Sequence, residues 1–302
     1  MVGNNDYMTM NTVDSTKLFT NQVDKNIEVE SYNGFFNLFS STSYGARYHY
    51  WFFPKMTTTS VVSPSEEVDD KDTPLIVWFN GGPGCSSIVG VMLEHGPFQY
   101  MIDDALSSSA ADDTADEIRL NPHRWNQFAH VLYIDSPLGA GFSRYNTTVD
   151  DIPNTAQGTM NDVYLCLQLF LFHSPASQFD QYRSSPLHIA GESYGAKHVL
   201  HLGAIIDEEN EKIAVRQQSA AGSGSGSSGD DPSSFQLINL RGLMLLNGWF
   251  YSEIQHRVYI EYAYLNGMID YQYYVKANTL MKQCMQLFVN NQYEQAATNC
   301  SD

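Results

Sequence analysis

The hydrophobic positions fall into short, evenly spaced blocks. LIVWF at 75–79 is an unbroken apolar run of strand length. HVLYIDSP at 130–137, LHIAG at 187–191 and GLMLLNG at 242–248 are similar blocks. Runs without polar alternation predict strands covered on both faces. Two earlier blocks, IEVESYNGFFNL at 27–38 and RYHYWFFP at 47–54, are rich in aromatics and flank a Ser-rich turn, which predicts a hairpin. TAQGTMNDVYLCLQLFLF at 155–172 is apolar nearly all round and predicts a buried helix. A second helix is expected from the end of LHIAG to about residue 210. Strand and helix in alternation predict an α/β fold, a mostly parallel sheet with helices on both faces.

Polar stretches divide these blocks. Residues 1–26 are expected to be loosely ordered. Residues 101–118 are rich in Ala, Ser and Asp, and 216–235 (RQQSAAGSGSGSSGDDPSSF) are low in complexity. Both are expected to be flexible insertions into one core spanning 27–249. The Tyr-rich remainder, 250–302, is expected to be a partial helical cap.

Composition adds limits. With 302 residues the chain can bury a substantial core. Its net charge is −18, which argues against nucleic acid and anionic membrane as partners. A solvated acidic surface accounts for the charge; an acidic compartment would also suit it. No apolar run reaches the roughly 18 residues of a membrane span. The four cysteines, Cys85, Cys166, Cys284 and Cys300, lack metal-ligand spacing, so no metal is expected. Cys284 and Cys300 are near enough in sequence to form a disulfide, and Cys166 is expected to be a buried free thiol. Asn146-Thr147-Thr148 and Asn299-Cys300-Ser301 are glycosylation sequons, a weak sign of a secreted glycoprotein. The first ten residues have neither a basic region nor an apolar core, so they do not read as a signal peptide. No internal repeat occurs, and nothing indicates oligomeric state.

The candidate chemistry sits after two of the strands. Gly191-Glu192-Ser193-Tyr194-Gly195 follows an apolar strand and precedes a helix. G-x-S-x-G by itself is a weak pattern, met by chance on surface loops. In this strand–turn–helix context it predicts a nucleophilic serine on a strained turn. Asn80-Gly81-Gly82-Pro83-Gly84 follows another strand. It could be a tight turn and nothing more. It could also form an oxyanion hole, since consecutive glycines let a backbone N–H reach a developing negative oxygen. In parallel sheets, sites form at the carboxyl ends of strands, so both turns should face one edge.

Together the motifs are specific. WFNGGPGCSS, LEHGPF at 93–98, NPHRWN at 121–126, YIDSPLGAGFS at 133–143 and GESYGA occur in an order and spacing that resembles the serine carboxypeptidase family. The resemblance covers about 27–250. It implies an α/β-hydrolase fold and a serine-type hydrolase that releases the C-terminal residue of peptides at acidic pH, with no cofactor. Its partners would be peptides or proteins with a free C-terminus, and its location vacuolar, lysosomal or secreted. By the resemblance, Ser193 is the nucleophile, and Gly82 and Tyr194 give the oxyanion-hole N–H groups. Asn80, Gly81, Glu94 and Glu192 bind the substrate's terminal carboxylate. That grouping is physically coherent only if a Glu is protonated, because three carboxylates would otherwise repel.

The sequence also departs from the family. Gly195 and Ala196 are exchanged relative to the usual order at the elbow, His198 replaces a usual Tyr and Leu200 a frequent Pro. The triad Asp and His should follow the serine. Downstream lie His198, His201, His256 and Asp270, each better read as structural or surface residues. Both partners, and the C-terminal strands that would carry them, are expected to be missing from this chain. Two other functions stay open: an acyltransferase using the same acyl-enzyme, and a non-catalytic homologue that only binds.

Overall fold

A computed structural model describes residues 8–14, 29–39, 45–56, 72–101, 117–145, 152–174, 178–222 and 235–299. The chain divides into two compact units, Met1–Gly248 and Trp249–Asp302.

The first unit is built on one sheet, ordered β1(Met8–Asp14), β2(Glu30–Phe39), β3(Gly45–Phe53), β7(His130–Ile134), β4(Leu75–Phe79), β9(Leu187–Glu192), β10(Leu240–Leu246). A hairpin of β5(Phe98–Met101) and β6(Glu117–Leu120) lies apart, and β8(Arg144–Tyr145) pairs with β3. The sheet is mixed. β7, β4, β9 and β10 run parallel, whereas β1, β2 and β3 add an antiparallel wing. The expected α/β architecture is present, with the parallel strands forming the part of the sheet from β7 to β10. β2 and β3 lie only five residues apart in sequence, a separation that suits antiparallel neighbours, while parallel strands need longer crossovers.

The apolar runs occupy the middle. Every residue of β4 and β7 is buried. One face of the sheet packs Tyr50, Phe52, Val77, Leu132 and Ile189 against α1(Ala156–Phe172) and α2(Gly195–Gly222). The other face packs Phe53, Trp78, Val131 and Tyr133 against Val91, Phe98 and Trp125. Thr155 caps α1 by accepting from the Gly158 N–H at 3.0 Å. Cys166, fully buried on α1, is a free thiol.

Several boundaries differ from expectation. Residues 8–14, expected to be loose, form β1 and pair along β2; in a strand so placed, backbone bonding substitutes for an apolar pattern. The helix after the elbow runs to Gly222, taking in 216–222 of the expected flexible insertion, because Arg216-Gln-Gln-Ser-Ala-Ala is compatible with helix. Residues 223–234 of that insertion, most of 101–118, the 146–148 sequon and Cys300 lie outside the described residues.

The second unit is helical: α3(Ser252–Leu265), α4(Tyr271–Val289) and α5(Tyr293–Asn299). Tyr264 stacks on Tyr274 with ring centres 4.5 Å apart, joining α3 to α4. Cys284 is disulfide-bonded. Among the described residues no helix is long and apolar enough to cross a membrane.

Candidate active site

β4 and β9 are neighbours, with Phe79 opposite Gly191. Their carboxyl ends therefore release Asn80 and Ser193 side by side. Ser193 has φ 55°, a left-handed conformation that L residues adopt only under constraint. Its N–H donates to the Leu246 carbonyl at 3.0 Å, and the Ala196 N–H donates to its carbonyl at 3.1 Å. The turn is compressed. A Cβ on Gly191 would lie 2.7 Å from the Gly195 carbonyl carbon and oxygen, and one on Gly195 would lie 2.5 Å from the Phe79 oxygen. The exchange of Gly195 and Ala196 thus places the glycine where the helix meets β4, and fully buried Ala196 faces the core. Gly195→Ala must push apart two backbones. It is expected to destabilise the protein by about 1–3 kcal/mol, read as a lower denaturant midpoint.

The glycine turn abuts the elbow. A Cβ on Gly81 would lie 2.7 Å from Ser193 Cβ, 2.9 Å from the Glu192 carbonyl oxygen and 3.0 Å from the Tyr194 nitrogen. Gly82 follows at φ 109°, and the Cys85 N–H closes the turn onto the Gly81 carbonyl at 3.2 Å.

Asn80, 3% exposed, is locked. Its side-chain oxygen accepts from Trp78 Nε1 at 2.8 Å and from the Gly90 N–H at 3.1 Å. Its amide N–H must therefore point the other way, and it donates to Glu94 Oε1 at 2.9 Å. Gly90 has no room for a side chain, since a Cβ there would lie 2.6 Å from Trp78 Nε1. Glu94 ends the single helical turn Gly90–Glu94, and Asn121 Nδ2 secures its carbonyl at 2.8 Å. Burial raises the Glu94 carboxyl above its ordinary value; the Asn80 bond opposes this and the Glu192 charge adds to it.

A second polar cluster lies beneath the glycine turn. Asp135, 1% exposed, accepts from Ser86 Oγ at 2.6 Å, the Ser87 N–H at 2.9 Å and the Phe142 N–H at 3.0 Å. Its Oδ2 also contacts His49 Nδ1 at 3.0 Å. Burial alone would raise this carboxyl, but the His49, Ser86 and Phe142 bonds overcome it and hold Asp135 below the usual carboxylate range. Sequence reasoning missed this cluster. Gly141 was its one local sign: it has φ 53°, and a Cβ there would collide with the Asp135 carboxylate.

No imidazole among the described residues hydrogen-bonds the Ser193 hydroxyl. His198 is buried on α2, edge-on to Phe79 at 5.7 Å and Tyr194 at 5.5 Å, and burial lowers it to about 4. His256 lies near Trp249 and Tyr259 in the second unit. Asp270 caps α4, accepting from the Tyr273 N–H at 2.9 Å. Among the described residues no group of three or more His, Cys, Asp or Glu could hold a metal.

A parallel-stranded α/β unit with a serine held at positive φ between strand and helix has the architecture of an α/β hydrolase. The family model for serine carboxypeptidases matches residues 21–302, and the chain belongs to that family. The match runs on through 250–302, beyond the motifs that carried the resemblance. Similar proteins include serine carboxypeptidase S10 family member 1 of Dictyostelium discoideum, 30% identical over 94% of this chain and 56% of its own length. Carboxypeptidase S1 of Penicillium janthinellum is 31% identical over 90% of this chain and 52% of its own. The crystal structure of Kex1(Δ)p, a prohormone-processing carboxypeptidase from Saccharomyces cerevisiae, superposes with a TM-score of 0.64 at 21% identity, over 100% of this chain and 56% of that one. The chain thus spans about half the length of the curated relatives it matches.

Proposed function

We propose that this chain carries the nucleophile and the carboxylate-recognition half of a serine carboxypeptidase. Ser193 Oγ attacks the last peptide carbonyl and the peptide C–N bond breaks, the serine proton passing, through a base not found among the described residues, to the amine of the departing C-terminal residue and leaving an acyl-enzyme. The N–H groups of Gly82 and Tyr194 receive the oxyanion. The observation that carries this reading is the contact of Gly81 with the elbow, which sets the glycine turn directly against Ser193. Asn80, Gly81, Glu94 and Glu192 hold the substrate's terminal carboxylate. Protonated Glu94 donates to that carboxylate; ionised, it repels it. The disulfide at Cys284 supports a vacuolar, lysosomal or secreted location.

The pH dependence follows from the raised Glu94 carboxyl. Binding is strongest below its titration and weakens as pH rises through it. A peptide acid should therefore outbind its C-terminal amide at pH 4–5, by about tenfold for one charge-assisted bond, with the preference shrinking toward neutrality. Glu94→Gln, which cannot ionise, should flatten the rise of KM with pH in the full-length enzyme. Calorimetric titration of the peptide pair measures the preference. Equal affinity for acid and amide at every pH would remove the carboxylate-recognition reading and leave the acyltransferase or the non-catalytic homologue.

A further inference from the structure

His95 lies beside this site and has no role so far. Its ring is buried, stacked on Trp125 at 3.9 Å and edge-on to Trp78 at 4.1 Å. Nδ1 lies 3.1 Å from the Tyr133 hydroxyl. Nε2 is buried without a hydrogen-bond partner, 4.0 Å from Glu94 Oε2.

Either ring nitrogen can carry the proton, and the tautomer that matters for Glu94 is the one in which the Tyr133 hydroxyl donates. Burial, with the Glu94 charge adding to it, pushes the Tyr133 hydroxyl well above its ordinary value, so it keeps its proton. A buried hydroxyl donates where it can, and here the acceptor is Nδ1. The ring proton then sits on Nε2, facing Glu94. Burial, opposed by a backbone hydrogen bond of the ring, lowers His95 to about 4, so the ring is neutral over most of the acidic range.

We propose that His95 is a positioning residue for Glu94, its Nε2–H serving as a second donor that engages the ionised carboxylate and releases the protonated acid toward a docking peptide C-terminus. The Glu94 side chain is 35% exposed and has room to turn, while Asn80 holds its other oxygen. Ionised Glu94 can accept from both Asn80 and His95. Protonated Glu94 gains nothing from a second donor, and its O–H is available to substrate. His95 therefore opposes the two influences that raise Glu94, burial and Glu192. The groups facing Glu94 are Asn80 at the end of β4, Glu192 at the end of β9 and Tyr133 on β7 with His95 between. The Arg124 guanidinium is engaged elsewhere, with the Asn121 carbonyl and Met56 Sδ. The inference rests on the carboxylate-site reading of Asn80, Glu94 and Glu192.

The test follows Glu94 directly. Isotope-edited infrared spectroscopy of full-length protein labelled with ¹³C-glutamate, referenced to Glu94→Gln, reads its protonation midpoint without substrate. His95→Phe should raise the midpoint by about one pH unit. His95→Gln, which keeps an N–H donor, should restore much of the difference. Tyr133→Phe, which frees Nδ1 to take the proton, should also raise it and serves if His95→Phe does not fold. An unmoved midpoint in a folded His95→Phe or Tyr133→Phe protein overturns the proposal. A shifted midpoint supports it even if peptide acids and amides bind alike, a result that removes only the carboxylate-site reading.

Discussion

Gly81→Ala should cost the full-length enzyme about 100-fold in the rate at which a fluorophosphonate labels Ser193, with the fold retained. The added methyl would stand 2.7 Å from Ser193 Cβ. A flexible neighbour could turn aside, but the other near atoms are the Glu192 carbonyl oxygen and the Tyr194 nitrogen, both backbone. Either the glycine turn or the elbow must retreat by a fraction of an ångström. Retreat of the turn carries the Gly82 N–H away from the oxyanion; retreat of the elbow carries Ser193 Oγ out of line. Both outcomes reduce reactivity, because catalysis by positioned donors is steep in distance. Labelling at the wild-type rate would show that the turn and the serine do not act together. Thermal melting separates this loss from unfolding: a drop of more than a few degrees would assign the effect to stability.

Asp135→Ala should destabilise the first unit by about 3–5 kcal/mol, the range for breaking a buried charged network by removing one partner. The Ser87 and Phe142 N–H groups, bonded at 2.9 and 3.0 Å, would be stranded in the interior, together with Ser86 Oγ and His49 Nδ1. Urea titration of the purified protein checks the magnitude; a loss below about 1 kcal/mol would put Asp135 among ordinary hydrogen-bond acceptors. The wild-type contribution also depends on pH. The folded carboxyl titrates below its ordinary value, so its stabilisation is complete above the unfolded value near 3.8. It is lost as pH falls through the depressed folded value. Asp135→Asn should abolish that acid-side slope.

The central strands were legible because burial on both faces leaves an unbroken apolar run: LIVWF is β4 to the residue. The elbow was legible because its constraints are local, and Gly191, Ser193 and Gly195 sit within five residues. Other features depend on partners distant in sequence. β1 takes its structure from pairing with β2, and the alternation of MTMNTVD, Met8 and Met10 and then out of phase at Val13, is too short to announce it. The Asp135 cluster joins residues 49, 86 and 142, and no spacing rule links them. Asn80 could be placed near Glu94 by resemblance, but its fixed orientation depends on Trp78 Nε1 and the Gly90 N–H, contacts visible only in three dimensions. His95 looked like one more residue of LEHGPF until the ring contacts with Trp78 and Trp125 set its direction.

The hydrogen bond from the Ser193 N–H to the Leu246 carbonyl has a thermodynamic meaning. Among the described residues β10 is the last strand in the sheet order, and end strands open at lower free energy than central ones. The left-handed backbone of the serine is held partly by this rung. The population of correctly poised serine is therefore coupled to the opening equilibrium of β10. Anything that shifts that equilibrium, whether a substitution in β10 or a strand pairing along it, changes the serine's reactivity without touching the site.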